Sequence, residues 1–432
     1  MNEFFLYLGG LLLLLFAGLH VSTVLFLLAM VGAVFIIGGK AWLVLGHSVW
    51  STMNSFILVA VPLFILAGEI LLRSGVADRM YRALSLWLSG LPGGLLHTNI
   101  GACALFSASS GSSVATAATI GTVALPSLVK RGYNRRLALG SLAAGGTLGI
   151  LIPPSINMII FGALANVSIG RLFTAGIIPG LILAVLFMFM ILLMSLLWGG
   201  QAVRREAIPP LAVRLRALVD LVSPLFIFAI VMGSIYFGWA TPTEAAALAV
   251  IASLVLAAIA RRLSIRMLHA AFRGTLRTAS MAMLIIIAAF YLNYFISLLG
   301  MTSAIVAFVD DLGISPAVTI ILVSLMYMVL GCFMETLSMM ITTIPVAVPL
   351  IVGLGLDPVW FGIFLTLHME LSLITPPVGM NLYVIQGIRR DGGKIHDVFI
   401  GCLPFAGSML ILIVLLGLYP GLALWLPNKL FG

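Results

Sequence analysis

Long apolar runs without charged residues dominate the sequence, and polar or basic residues are confined to short stretches between the runs. A membrane-spanning helix needs about 20 consecutive apolar residues, so each run predicts one helix of an all-α integral membrane protein. The first run begins at Phe4 with no basic region before it, which predicts a retained helix rather than a cleaved signal peptide. We place the helices at 4–20, 22–38, 50–72, 137–167, 172–199, 221–239, 245–260, 279–299, 359–387 and 398–427.

Two further apolar segments, 91–129 and 312–352, are interrupted near their centres by small or polar residues. The sequence SASSGSS at 107–113 interrupts the first segment, and GCFMETLS at 331–338 interrupts the second. Two ordinary spans joined by a tight turn are one interpretation of each segment. We favour a re-entrant helical hairpin, whose tip lies at membrane depth and must be covered by protein or by a water-filled cavity.

The distribution of charge predicts the direction of both hairpins. Lys and Arg residues gather on the cytoplasmic side of membrane proteins, and they flank segment 91–129 on both sides. This hairpin should therefore open to the cytoplasm. Asp310, Asp311 and Asp357 flank segment 312–352, which should open to the periplasm. Threading the other spans between the basic clusters places both chain termini in the periplasm.

The two halves of the chain carry the same order of elements in opposite orientations. Each half has three helices, a hairpin, a helix broken by a double proline and one more helix. The double prolines, Pro153-Pro154 and Pro376-Pro377, are 223 residues apart. Inverted repeats with discontinuous helices at matching positions are typical of secondary transporters, whose sites lie near the bilayer midplane. We therefore divide the chain into inverted repeats at 1–200 and 219–432, with broken helices at 137–167 and 359–387.

Two polar, arginine-rich stretches lie between predicted spans, at 201–218 and 261–277. We interpret both as amphipathic helices on the cytoplasmic interface, with a solvated linker as the alternative. The first is the connector between the repeats. The second is an interfacial arm that would brace a static scaffold against a moving core.

Oxygen-bearing side chains cluster at the hairpin tips and near the double prolines. Adjacent prolines free backbone carbonyl groups, and hard cations prefer oxygen ligands. Each half can therefore form one oxygen cage for Na⁺ between a hairpin tip and a broken helix, although small-residue helix packing also explains the serines. The candidate ligands are Ser109, Ser110, Ser112 and Thr116 in the first half, and Glu335, Thr336, Ser338, Thr375 and Asn381 in the second.

The broken helices also predict a site for an anion, because the N-termini of half-helices present unpaired N–H groups. No Lys or Arg is predicted at membrane depth, so a carboxylate substrate would be held by helix dipoles, hydroxyl groups and Na⁺. Glu335 and Glu370 are the intramembrane carboxylates, and the tip position favours Glu335. The candidate substrate contacts are Ser112, Thr116, Asn157, Glu335, Ser338 and Asn381.

Several residues are better explained by structure than by chemistry. Thr241 and Glu244 match a capping box with Pro242 at the first helical position, and we interpret His368 as a hydrogen-bonded packing residue rather than a proton relay. The cysteines, which sit in apolar stretches without metal-ligand spacing, are predicted to be small buried side chains at Cys103, Cys332 and Cys402.

Enzyme chemistry is not indicated. The sequence contains neither a phosphate-binding loop motif nor an HExxH motif, and no nucleophile–base pair or transition-metal site is apparent. The net charge of +9 is interpreted as a signal of membrane topology rather than of a nucleic-acid partner. An ion gradient or another subunit must therefore drive transport.

Short motifs along essentially the whole chain resemble the large membrane subunit of tripartite ATP-independent periplasmic (TRAP) transporters. They are PLFILAGE at 62–69, RSGVAD at 73–78, LPGG at 91–94, SSGSSVATAATIG at 109–121, IPPS at 152–155, TPTEAA at 241–246, GCF at 331–333, TPPVG at 375–379 and LALWLP at 422–427.

The resemblance implies an elevator-type transporter in a bacterial inner membrane, in which a core carries substrate and Na⁺ past a fixed scaffold. It implies a small four-helix membrane subunit and a periplasmic substrate-binding protein as partners, and organic acids such as dicarboxylates, sialic acid, sugar acids or ectoines as substrates. The family's Na⁺ sites would fall at Ser110, Gly111 and Ser112 with Gly149 and Pro153, and at Glu335 and Thr336 with Thr375 and Gly379.

The chain departs from this family at two positions, because many relatives have aspartate where it has Thr116 and where it has Glu335. The leading hypothesis is Na⁺-coupled uptake of a small carboxylate-bearing solute. The alternatives are an ion-coupled anion transporter that needs no binding protein and a channel-like pore.

Overall fold

The computed structural model describes residues 17–197, 209–300 and 313–431, with isolated positions before residue 17 and between 300 and 313. The described residues form helices and short turns and contain no β-strand. Nine helices within these ranges are long and apolar enough to cross a membrane. The prediction of an all-α membrane protein is therefore confirmed.

The first half of the chain contains nine described helices, among them one hairpin and one broken helix. They are α1 (Val21–Ile37), α2 (Ala41–Met53), α3 (Ala60–Arg73), α4 (Val76–Leu88), α5 (Leu95–Ser110), α6 (Ser113–Lys130), α7 (Arg135–Thr147), α8 (Ile156–Ala165) and α9 (Ile169–Leu197).

The second half also contains a helix pair followed by a helix interrupted at a double proline. Its helices are α10 (Leu211–Ala217), α11 (Val219–Tyr236), α12 (Pro242–Ile259), α13 (Ile265–Leu298), α14 (Pro316–Phe333), α15 (Thr336–Gly353), α16 (Pro358–Leu373), α17 (Met380–Ile388), α18 (His396–Leu418) and α19 (Gly421–Phe431).

Both interrupted apolar segments fold as pairs of helices, α5–α6 and α14–α15, and both double prolines interrupt a helix. The breaks separate α7 from α8 and α16 from α17, and each contains a cis peptide bond between its two prolines. Helices α6, α14 and α15 each have 18 residues, which corresponds to about 27 Å. Their length alone therefore fits either a re-entrant hairpin or two ordinary spans.

Several predicted boundaries were wrong. The run 50–72 is two helices, because α2 ends at Met53 and a short 3₁₀ turn precedes α3. The run 398–427 is divided at Pro420, between α18 and α19. Helices α2 and α4 were not predicted because charged or polar residues interrupt their apolar pattern, whereas α10 lies within the amphipathic connector predicted at 201–218. Predicted span 4–20 and residues 201–208 of the connector lie largely or wholly outside the described residues.

The predicted arm 261–277 is not a separate helix. Ser264 caps α13, which runs without interruption for 34 residues and includes the span predicted at 279–299. Gly274 lies directly against the Glu69 side chain of α3, because a Cβ atom at this glycine would be 2.6 Å from the Glu69 carboxyl carbon. The arm is therefore attached to α3, and its position at the membrane interface stays a prediction.

Two groups of helices can be distinguished by their packing. Helices α1, α2 and α3 pack on α13 and α12 packs on α3, whereas the hairpins and the broken helices pack on one another. The second group interlocks the two repeats, since α8 packs against α15 while α17 packs against α6 and α7. The predicted capping box at the start of α12 is confirmed by reciprocal hydrogen bonds between Thr241 and Glu244.

Helices α7 and α18 cross at backbone contact through two glycines. A Cβ atom on either Gly140 or Gly401 would overlap the backbone of the other helix. This crossing positions the first half of the broken helix without a side chain between the two backbones.

Substituting Gly401→Leu should destabilise the protein by about 3 kcal/mol, because the added side chain must push α18 away from α7. The measurement is thermal unfolding of the detergent-solubilised protein. Gly407→Leu is the matched control on the same helix, since a Cβ atom at Gly407 meets no atom within 4 Å. Equal melting temperatures of the two variants would contradict this account of the crossing.

Candidate functional site

The first hairpin turns within two residues. Helix α5 ends at Ser110, Gly111 adopts a left-handed conformation with φ of 62°, and the Ser112 side chain caps α6. A Cβ atom at Gly111 would be 2.8 Å from the carbonyl oxygen of Pro154. Glycine is therefore required at this tip both for its backbone angle and for its contact with the broken helix.

The tip contacts the first broken helix through its backbone. The Ile156 N–H donates a hydrogen bond of 3.4 Å to the Gly111 carbonyl oxygen. A Cβ atom at Gly149 would be only 2.6 Å from the Ser112 carbonyl oxygen. The structure therefore brings Gly111, Ser112, Gly149 and the double proline together.

A chain of hydroxyl groups joins the two arms of the first hairpin. Ser110 Oγ is 3.0 Å from Thr116 Oγ1, which donates to the Ser112 carbonyl oxygen at 2.7 Å. Thr116 is fully buried. Ser109, by contrast, donates to the carbonyl oxygen of Phe106 in its own helix. The tip of the first hairpin therefore offers hydroxyl and carbonyl oxygen atoms, none of which carries a formal charge.

The tip of the second hairpin is charged. Glu335 caps α15, and its carboxylate accepts hydrogen bonds from the Ser338 N–H at 3.1 Å, the Ser338 hydroxyl at 3.2 Å and the Thr336 hydroxyl at 3.1 Å. Glu335 follows Ser112 by 223 residues, the offset between the double prolines. The two caps are therefore equivalent positions, a hydroxyl in one repeat and a carboxylate in the other.

The second hairpin contacts the second broken helix in the same way as the first pair. The Val378 N–H donates a hydrogen bond of 3.3 Å to the Cys332 carbonyl oxygen. Close packing of Gly331 on Ser372 supports this contact, because a Cβ atom at Gly331 would be 2.6 Å from the Ser372 Cβ atom. The predicted pairing of hairpin tip and broken helix is thus present in both halves.

Local hydrogen bonds order the second break itself. The Thr375 hydroxyl donates to the Leu371 carbonyl oxygen at 2.6 Å, and the Thr375 carbonyl oxygen accepts from the Gly379 N–H at 3.1 Å. Thr375 and Gly379 therefore lie within one turn of the chain, next to the double proline. The Thr375 hydroxyl keeps a lone pair for a further contact.

The two asparagines predicted to bind substrate occupy matching positions, each the second residue of a half-helix, but they differ in their partners. The Asn381 side chain accepts from Ser113 Oγ at 3.4 Å and donates to the Ala143 carbonyl oxygen at 3.0 Å. It therefore contacts the first half of the chain, because α17 packs against α6 and α7, and its membership of the oxygen cage of Glu335 stays a prediction. The Nδ2 atom of Asn157 is buried and has no hydrogen-bond partner among the described residues.

Ser113 was missed in the sequence analysis, although a signal was available. It precedes Thr336, a predicted ligand, by the same repeat offset of 223 residues. The structure places its hydroxyl between the first hairpin and α17.

Two ionisable residues of α16, His368 and Glu370, are buried away from the hairpin tips. Both ring nitrogens of His368 are hydrogen-bonded, to Ser324 Oγ at 2.6 Å and to the Phe364 carbonyl oxygen at 2.8 Å, which fits a packing role. Glu370 is fully buried, and its carboxyl oxygens have no partner among the described residues. It is not part of either hairpin tip.

Comparisons with known proteins agree on one family. Residues 8–422 match the family described as "Tripartite ATP-independent periplasmic transporter, DctM component". The chain is 32% identical over 389 residues to the C4-dicarboxylate TRAP transporter large permease protein DctM of Pseudomonas aeruginosa, an alignment that covers 89% of this chain and 90% of that protein. It is 30% identical over 385 residues to the sialic acid TRAP transporter large permease protein SiaM of Vibrio cholerae, covering 88% of each.

A solved structure shares the fold. The YdaH transporter of Alcanivorax borkumensis superposes with a TM-score of 0.65, covering 97% of this chain and 99% of that one at 15% sequence identity. This likeness concerns the fold alone. The family match and the relatives show that the chain belongs to the DctM component family of tripartite ATP-independent periplasmic transporters, as its motifs predicted, and is a multi-pass membrane transport protein rather than an enzyme.

Proposed function

We propose that the chain is the large permease subunit of a TRAP transporter that couples Na⁺ entry to uptake of a small organic acid across the bacterial inner membrane. The observation that carries this proposal is the paired contact of each hairpin tip with the break of a double-proline helix. A small four-helix membrane subunit and a periplasmic binding protein that delivers the substrate complete the proposed assembly.

Helix lengths support a position at membrane depth for both tips. Helices α7 and α8 have 13 and 10 residues, and they rise about 20 and 15 Å. Neither can cross a hydrocarbon core of about 30 Å alone, whereas together they can. The break between them then lies inside the membrane, and so does the tip that contacts it. The same reasoning applies to α16 and α17, and it favours re-entrant hairpins over ordinary spans.

Unpaired carbonyl groups at the breaks support cation binding. Among the described residues, no hydrogen bond is donated to the carbonyl oxygens of residues 149–153 in the first break or to those of Ile374, Pro376 and Val378 in the second. Such groups need partners within a membrane, and carbonyl and hydroxyl oxygens are suitable ligands for Na⁺. In the second site the Glu335 carboxylate adds a negative charge that attracts the cation.

The unpaired amide donor of Asn157 supports binding of a carboxylate. A buried donor without a partner costs about 1–3 kcal/mol, and an acceptor on the substrate would remove this cost. Asn157 lies in the first turn of α8, where the helix dipole also favours an anion. Relatives of the chain include TRAP transporters of C4-dicarboxylates, sialic acid, ectoine and isethionate, so we expect a solute of this size with an acidic group.

The two groups of helices support an elevator mechanism. In this proposal the hairpins and broken helices move as the core, and the helices packed around α13 form the scaffold. Because both candidate sites are built entirely from the core group, substrate and cation would move together without losing their ligands.

Uptake should require both a Na⁺ gradient and the binding protein. The measurement is accumulation of succinate, sialic acid, ectoine or isethionate by proteoliposomes that contain both membrane subunits, with each component omitted in turn. Uphill accumulation without the binding protein would instead support a self-sufficient transporter. Flux without saturation or uphill accumulation would support a channel-like pore.

Substituting Glu335→Gln should raise the Na⁺ concentration for half-maximal uptake about tenfold, which corresponds to about 1.4 kcal/mol of lost cation binding. Ser112→Ala should have the same direction of effect in the first site. Glu244→Gln is the control, because this exposed carboxylate only caps α12. Unchanged Na⁺ dependence in the first two variants would reject the site assignment.

Substituting Asn157→Ala should raise the substrate KM about tenfold or more, since a hydrogen bond to a charged group contributes about 1.5–3 kcal/mol. The Na⁺ concentration for half-maximal uptake at saturating substrate should change little. Transport kinetics at varied substrate and at varied Na⁺ separate the two effects. A variant with an unchanged KM would show that Asn157 does not contact the substrate.

A further inference from the structure

A cavity of about 700 Å³ lies between the end of α6, the start of α7 and the end of α17. It is at the opposite end of α6 from the hairpin tip, so it is separate from the candidate site. All three helices belong to the core group, and a ligand in this cavity would contact each of them.

The rim of the cavity carries uncompensated positive charge. Arg135 is 3.3 Å from the Asp391 carboxylate, and Arg389 is ion-paired to Asp391 as well. The hydrogen bond from Arg389 lowers the pKa of Asp391, which keeps this carboxylate charged and engaged. Lys130 and Arg390 are exposed on the same rim, and neither makes an ion pair with a described residue. Two cations are therefore left to face a ligand.

The walls of the cavity are mostly apolar. They include Leu125 and Val129 of α6, Leu139 of α7 and Ile388 of α17. Val129 is 52% exposed, so this wall continues onto the outer surface of the protein. A cationic rim above an apolar wall at the end of membrane helices suits an anionic amphiphile, with its phosphate at the rim and its acyl chains along the wall.

The cavity is closed towards the candidate site, which argues against an exit path for a soluble anion. A Cβ atom at Gly121 would be 3.0 Å from Ile385 Cδ1 and 3.1 Å from Ile388 Cδ1. Leu382 and Ile385 are fully buried in the same seam between α6 and α17. A polar solute near Asn381 therefore has no open route along this seam to the cavity.

We propose that this cavity binds an anionic phospholipid, whose phosphate contacts Lys130 and Arg390 and whose acyl chains cover the apolar wall. Binding would hold α6, α7 and α17 together at the end of the core where basic residues gather. This role is independent of the identity of the transported solute.

Short-chain phosphatidylglycerol should raise the melting temperature of the detergent-solubilised protein in a saturable way, whereas phosphatidylcholine of equal chain length, inorganic phosphate and succinate should not. The double variant Lys130→Gln with Arg390→Gln should bind phosphatidylglycerol roughly thirtyfold more weakly. The matched control is Arg262→Gln with Arg266→Gln, which removes two exposed charges at the start of α13 and should keep wild-type affinity.

A second variant tests the cavity without changing its charge. A Cβ atom at Gly387 would meet no atom within 4 Å, so Gly387→Leu should fold normally, occupy the cavity and remove the phosphatidylglycerol effect. Equal stabilisation of the wild type, the Lys130/Arg390 double variant and Gly387→Leu would overturn the proposal. An equal effect of phosphatidylcholine or of a soluble anion on the wild type would overturn it as well.

Discussion

The structure depends on hydrogen bonds to the backbone N–H and carbonyl groups that two helix breaks leave unpaired. Each double proline leaves N–H and carbonyl groups without helical partners, and this is costly inside a membrane. In both halves an N–H group within two residues after the prolines donates to the end of a hairpin, from Ile156 to Gly111 and from Val378 to Cys332. The break and the tip therefore stabilise each other, and neither can be positioned without its partner.

Small residues make these contacts possible. Gly111 and Gly149 allow the first tip to approach the broken helix at backbone distance, and Gly331 does the same for the second. Gly140 and Gly401 bring α7 and α18 into direct contact. Close approach by glycine is a common way to pack helices when lipid and side chains are equally apolar. In this protein it also aligns the groups proposed to bind cation and substrate.

The repeats have the same architecture but different chemistry. Ser112 and Glu335 cap equivalent helices, so the first tip has neutral oxygen atoms whereas the second has a carboxylate. Asn381 is engaged by the other repeat, whereas Nδ2 of its counterpart Asn157 is unpaired. Thr116 joins Ser110 to the Ser112 carbonyl group. The two candidate sites therefore differ in charge and in hydrogen bonding, although the helices that form them have the same arrangement.

The sequence by itself determined the membrane class, most of the apolar helices, the two interrupted segments that fold as helix pairs, the two double-proline breaks and the family. These features depend on composition, local backbone chemistry and short motifs, which can be read along the chain. The tertiary structure decided which groups meet across the repeats. It placed Asn381 against Ser113 and Ala143 of the first half and joined the arm to α13. It also left Nδ2 of Asn157 unpaired, because partners far apart in sequence are set by packing and not by periodicity.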